Sequence, residues 1–152
     1  MKNAHYITIR VFVKPEEDLE QVKKTLYKLS GTTKDLFEQN NISYTEEIVE
    51  GFNQKKITKL TLQIEKNRLI NDFFEKLNQK LTNKELQALK KQENRIDDDM
   101  NFYLRLDKDK LKKDEYKLTD KGNCYHVRVN LATYPKKKIK ALKIINRIIK
   151  EV

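Results

Sequence analysis

Tyr6-Ile7-Thr8-Ile9-Arg10-Val11-Phe12-Val13 alternates without a break. Ile7, Ile9, Val11 and Val13 fall on one side of an extended chain, and Tyr6, Thr8, Arg10 and Phe12 on the other. Strict period-two alternation marks a half-buried strand with one face in a core. Three more stretches read the same way. Residues 57–65 contain Ile57, Leu60, Leu62 and Ile64; residues 102–106 put Leu104 and Leu106 opposite Tyr103 and Arg105; residues 125–131 put Val127, Val129 and Leu131 opposite His126, Arg128 and Asn130. Residues 42–50 are also β-like and join the 57–65 strand around Gly51.

Between the strands the period changes to that of a helix. Leu19, Val22, Leu26 and Leu29 form one helical face that Gly31 ends, and Pro15 is expected to open this helix with Glu16, Glu17 and Asp18 in its first turn. Leu69, Ile70, Phe73, Phe74, Leu77 and Leu81 mark a strongly amphipathic second helix. Thr82-Asn83-Lys84-Glu85 reads as a capping box that opens a third, through Leu86 and Leu89. A short strand at 116–118, the loop Asp120-Lys121-Gly122 and the 125–131 strand are expected to make a hairpin, with glycine at a positive φ. Pro135 precedes a last helix running to the C-terminus. The order β-α-β-β-α-α-β-β-β-α implies an α+β fold, a mostly antiparallel sheet with helices packed on one face, built as a single domain over residues 1–152.

Composition narrows the function. The single cysteine, Cys124, excludes a disulfide framework and a cysteine-based zinc site. No apolar run reaches the roughly 18 residues that cross a bilayer, and no apolar leader precedes the first strand, so a cytoplasmic protein without a membrane partner is expected. Net charge is +10, unevenly placed: residues 1–100 carry 18 basic and 17 acidic groups, residues 101–152 carry 15 and 6. A basic half joined to a near-neutral half points to a polyanionic partner.

Two features of the basic half could hold nucleic acid. At 100° per residue, Lys136, Lys140, Lys143, Arg147 and Lys150 fall within a narrow arc, opposite Ala141, Leu142, Ile145, Ile148, Ile149 and Val152. Such a row tracks phosphates along a backbone, or is simply a solvated face. The outward side of the late strands carries Tyr103, Arg105, His126 and Arg128, a base-stacking platform unless a helix or second subunit covers it. Catalysis has no supporting constellation. Asp97-Asp98-Asp99 lacks calcium-loop spacing, His5 and His126 stand alone, and there is no glycine-rich phosphate loop or nucleophile elbow. No cofactor, metal or catalytic residue is therefore expected.

Arg95-Ile96-Asp97-Asp98, then Phe102-Tyr103-Leu104-Arg105-Leu106-Asp107-Lys108, then Tyr125-His126-Val127-Arg128-Val129-Asn130-Leu131 resembles the archaeal RNA-binding family described as predicted exosome subunits. Glu50-Gly51-Phe52 with Ile57, and the 6–13 strand, are placed similarly; the loop at 52–56 and the residues after Lys108 depart from the pattern. The resemblance implies a fold like that of the fifth large-subunit ribosomal protein, RNA binding, and association with the exosome or RNA-processing proteins. The expected RNA contacts are Tyr103, Arg105, Lys108 and Arg128 on the strands and Lys136, Lys140, Lys143, Arg147 and Lys150 on the last helix. The competing readings are an assembly protein that presents the same cations to an acidic partner surface, and a metal-dependent nuclease.

Overall fold

The computed structural model describes residues 2–51, 53 and 55–151. Its five strands form one antiparallel sheet: β1 (Ala4–Val13), β2 (Ser43–Glu50), β3 (Lys56–Ile64), β4 (Asn101–Asp107) and β5 (Cys124–Leu131), in the order β2-β3-β1-β5-β4. The opening strand of the chain is thus the central strand. Ile7, Ile9, Val11, Leu60, Leu62, Ile64, Phe102, Leu104, Leu106, Val127 and Val129 are all fully buried, on the side where the helices pack. The helices are α1 (Leu19–Leu29), α2 (Asn67–Lys80), α3 (Asn83–Lys91), α4 (Lys108–Lys112) and α5 (Lys138–Ile148). Phe73 of α2 and Ile145 of α5 share one core with the inner strand residues. The expected α+β architecture holds, because alternation in the strands and 3.6 spacing in the helices specify complementary apolar faces.

Local chemistry moves several boundaries. Pro15 does not open α1: residues 14–17 close a turn, with the Glu17 amide donating to the Lys14 carbonyl at 3.0 Å. Asp18 is the N-cap, accepting from the Gln21 amide at 3.2 Å, so only Glu20 is an acid of the first turn. Gly31 ends the helix at φ 79°, where a residue with a Cβ would be strained. Thr82 and Glu85 form the expected capping box.

The expected hairpin between 116–118 and β5 does not form. Leu118 instead bridges Leu106 of β4, flanked by Asp107 N to Lys117 O at 2.8 Å and Thr119 N to Arg105 O at 3.0 Å. The Leu118 amide donates to Glu85 Oε2 at 2.7 Å, so α3 and β4 together claim this segment. Gly122 accordingly has no positive φ. The residues after β4 make the unforeseen α4: Asp107 caps it by accepting from the Lys110 amide at 2.9 Å, and Leu111 is buried. Helix α5 spans only Lys138–Ile148 and buries Ile144 where Leu142 had been expected; Leu142 is half-buried. Val152, Phe52 and Gln54 lie outside the described residues.

Candidate nucleic-acid interface

Because the helices pack on one side of the sheet, the outward side chains of its strands form an open face. Antiparallel register sets their neighbours. Arg10 on β1 lies opposite Thr61 on β3 and His126 on β5, and His126 lies opposite Arg105 on β4. One row along, Thr8 lies opposite Gln63 and Arg128, and Arg128 opposite Tyr103. A third row holds Tyr6, Asn130 and Asn101. Directly opposed side chains start about 5 Å apart and diagonal ones about 7–8 Å. Three arginines from three strands therefore surround one histidine and one tyrosine.

Thr8, Arg10, Lys59, Thr61, Tyr103, His126 and Arg128 line a depression of about 280 Å³ on this face. The Nε atoms of Arg10 and Arg128 are buried and have no hydrogen-bond partner. A guanidinium donor withheld from water without an acceptor is costly, and native proteins keep few such groups. The Arg10 guanidinium stands 5.5 Å from the Phe12 ring centroid, and neither Arg10 nor Arg128 forms an ion pair among the described residues. Arg105 is exposed and donates to the Asp120 carbonyl at 3.1 Å.

The tyrosine of the aromatic pair is fixed by the segment that leads into β4. The Tyr103 hydroxyl donates to Asp97 Oδ2 at 2.8 Å, and its ring centroid lies 5.5 Å from that of His126, inclined at 45°. Asp97 also accepts from the amides of Asp99 and Asn101, both at 2.9 Å, and from the Asn101 side chain at 3.2 Å. Burial alone would raise the Asp97 carboxyl, but these donors together hold it below the usual aspartate value. Burial, followed by the bond to Asp97, raises the Tyr103 phenol. Burial, and then Arg10, Arg105 and Arg128, hold His126 below the ordinary imidazole value, so it is neutral at pH 7.

The sequence-predicted contacts divide into three groups. Tyr103, Arg105 and Arg128 come together on the open face. Lys136, Lys140, Lys143, Arg147 and Lys150 are all exposed but belong to the helix side, because Ala141, Ile144, Ile145 and Ile148 turn the other side of α5 into the core. Lys136 precedes the helix and Lys150 follows it. Lys108 belongs to neither surface, contrary to expectation. It is buried, and its Nζ donates to the Phe12 carbonyl at 2.6 Å and to both Glu17 carboxylate oxygens at 3.1 Å. Its position at the start of α4 points it beneath the sheet end rather than along the outward row. Sequence reasoning placed Arg10 and His126 on the outward side but did not make them contacts, and it missed Lys59. The signal was present in the alternation; what was missing was the strand order that seats β1 between β3 and β5.

Among known proteins, the family described as RNA binding matches residues 6–131. An RNA-binding protein of Pyrococcus abyssi is 28% identical over 143 residues, covering 93% of this chain and 91% of that protein. A DUF54 protein from Methanothermobacter thermautotrophicus superposes with a TM-score of 0.80 at 25% identity, covering 98% of this chain and 100% of that one. A DUF54 protein from Archaeoglobus fulgidus has the same fold, with a TM-score of 0.79 at 23% identity over 95% and 99% of the two chains. A family match that runs from the first strand to the last, through every strand of the open face, identifies this chain as a member of the RNA-binding family.

Proposed function

We propose that the protein binds single-stranded RNA on the open face of its sheet. Arg10 and Arg128 take phosphate oxygens, Arg105 and Lys59 add positive potential at the two sides, and the Tyr103–His126 pair stacks a base or ribose. The observation that carries this reading is the pair of buried guanidinium Nε donors without partners in a depression beside two aromatic rings. A planar fork of N–H donors matches phosphate and carboxylate oxygens alike, and the aromatic pair beside it favours a nucleotide over an acidic side chain. The membership of an RNA-binding family supports the choice of polyanion.

The testing experiment is filter binding of an unstructured RNA across a salt series with Arg10→Gln, Arg128→Gln and the double variant. Each lost phosphate contact should lower the log–log salt slope by about 0.7. Affinity should fall similarly for unrelated sequences, since phosphate contacts carry no sequence information. Unchanged affinity and slope in the double variant would refute the reading and favour an RNA-processing protein as the partner of the same cations.

A further inference from the structure

Residues 134–150 make a second cationic surface, separate from the open face. Helix α5 buries Ala141, Ile144, Ile145 and Ile148 in the core shared with the inner strand residues, so its other side points away from the sheet. On that side Lys136, Lys140, Lys143, Arg147 and Lys150 stand exposed, and none of them forms an ion pair among the described residues. Some cations elsewhere are neutralised, Lys23 by Glu46, Lys59 by Glu47 and Lys80 by Asp114, whereas no carboxylate among the described residues does this along the row. Glu75 lines a hollow with Arg147 and Lys150 without forming an ion pair to either, and Glu151 is turned to α3, where it pairs with Lys90 at 3.4 Å and accepts from Gln87 at 3.0 Å.

An aromatic side chain stands beside this row. Tyr134 is 93% exposed, and Lys140 Nζ donates to its carbonyl at 2.7 Å, which ties the loop to the helix. Arg147 donates to Asn3 Oδ1 at 2.7 Å through one terminal nitrogen and at 3.1 Å through Nε, which orients the guanidinium at the end of the row. Unpaired cations in line, with an exposed ring at one end, are the elements that hold a single-stranded nucleic acid without reading its sequence. The eleven residues of α5 span about 16 Å, room for two or three phosphates.

We propose that this surface is a second RNA site and that one chain therefore holds two RNA segments at once, one on each side of the sheet. The inference rests on the reading of the open face given above. The sheet and the helix layer place roughly 20 Å of protein between the two surfaces, so a short strand lying along one does not occupy the other. The consequence is a molecular clamp. Two strands, or two distant parts of one strand, are held at a high effective concentration with respect to each other.

Native mass spectrometry with two six-nucleotide single-stranded RNAs of different mass tests this. Wild-type protein should carry two hexamers per chain at saturation, including the mixed species with one of each. The Arg10→Gln/Arg128→Gln variant and the Lys140→Gln/Lys143→Gln/Arg147→Gln variant should each carry one, with thermal unfolding close to wild type. Saturation of the wild type at one hexamer per chain, or mixed species found only on protein dimers, would overturn the inference. If that single hexamer is lost in the Arg10/Arg128 variant, the open-face reading survives alone. If the Arg10/Arg128 variant carries as many hexamers as the wild type, the open-face reading fails and the clamp falls with it.

Discussion

Lys108 and Arg128 show how little a residue type says about its work. Both are cations of the basic half, yet Lys108 is locked under the sheet by Glu17 and the Phe12 carbonyl, while Arg128 keeps a donor without a partner. Burial tends to raise the Glu17 carboxyl, but the Lys14 amide and the Lys108 ammonium outweigh it and hold the pKa below 4.5. Lys108→Ala would strand that carboxylate and should cost about 3 kcal/mol in denaturant unfolding, while leaving the salt slope of RNA binding unchanged. A Lys108→Ala variant that folds normally but loses a unit of slope would return this lysine to the interface. His126 gives a second prediction. Its folded pKa lies below the unfolded value of 6.5, so the unfolded chain takes up the proton first as pH falls. Stability should therefore decrease as pH drops below about 6.5, and His126→Gln should flatten that part of the profile in urea titrations at pH 5.0–7.5. The sequence could reveal neither behaviour, because both depend on which strand lies beside which.

At the scale of elements, the parts written in local periodicity were legible and the parts decided by tertiary competition were not. The alternation of β1, β3, β4 and β5 and the spacing in α1, α2 and α3 specify those elements without help. The capping box is equally local: Thr82 accepts from the Glu85 amide at 3.2 Å, and Glu85 Oε1 accepts from the Thr82 amide at 3.1 Å. The other oxygen of Glu85 accepts the Leu118 amide, so one carboxylate both caps α3 and anchors the strip along the β4 edge. Residues 116–118 cannot pair with β5, whose two edges are taken by β1 and β4, so they lie on the free edge of β4, where Glu85 holds them from the other side. Thr82→Ala should cost about 1 kcal/mol, the ordinary value of an N-cap. Glu85→Ala should cost more, because it also leaves the Leu118 amide without its acceptor. Hydrogen exchange should show faster exchange at residues 117–119 in Glu85→Ala but not in Thr82→Ala; equal protection in both would mean that the strip is held by β4 alone. The failure at α4 has the same origin. Asp107-Lys108-Asp109-Lys110-Leu111 has one buried leucine and no periodic run, and it becomes helical because Asp107 caps it and Lys108 is tied down from outside.

Across the whole molecule, the layering bears on which form of RNA the proposed site would hold. The inward apolar residues of β1, β3, β4 and β5 are covered by the helices, so the opposite side of these strands is free to be mostly polar, and its width is set by strand spacing at about 14 Å. An A-form duplex keeps its bases stacked inward and offers a broad surface only 2′-hydroxyls and phosphates, whereas a single strand can splay a base onto an aromatic ring. The Tyr103 ring is held in place by Asp97, and Arg95 donates to the Tyr103 carbonyl at 3.3 Å. Single-stranded RNA should therefore bind more tightly than a blunt duplex of equal length in fluorescence-anisotropy competition. Tyr103→Ala should remove about 1–3 kcal/mol from single-strand binding and little from duplex binding, with the salt slope nearly unchanged, because stacking releases few counterions. Tyr103→Phe keeps the ring and loses only the bond to Asp97, so it should retain most of the preference. A duplex that competes as well as the single strand, or a Tyr103→Ala loss that is equal for both, would mean that the open face holds RNA by charge alone and that its aromatic pair serves the fold.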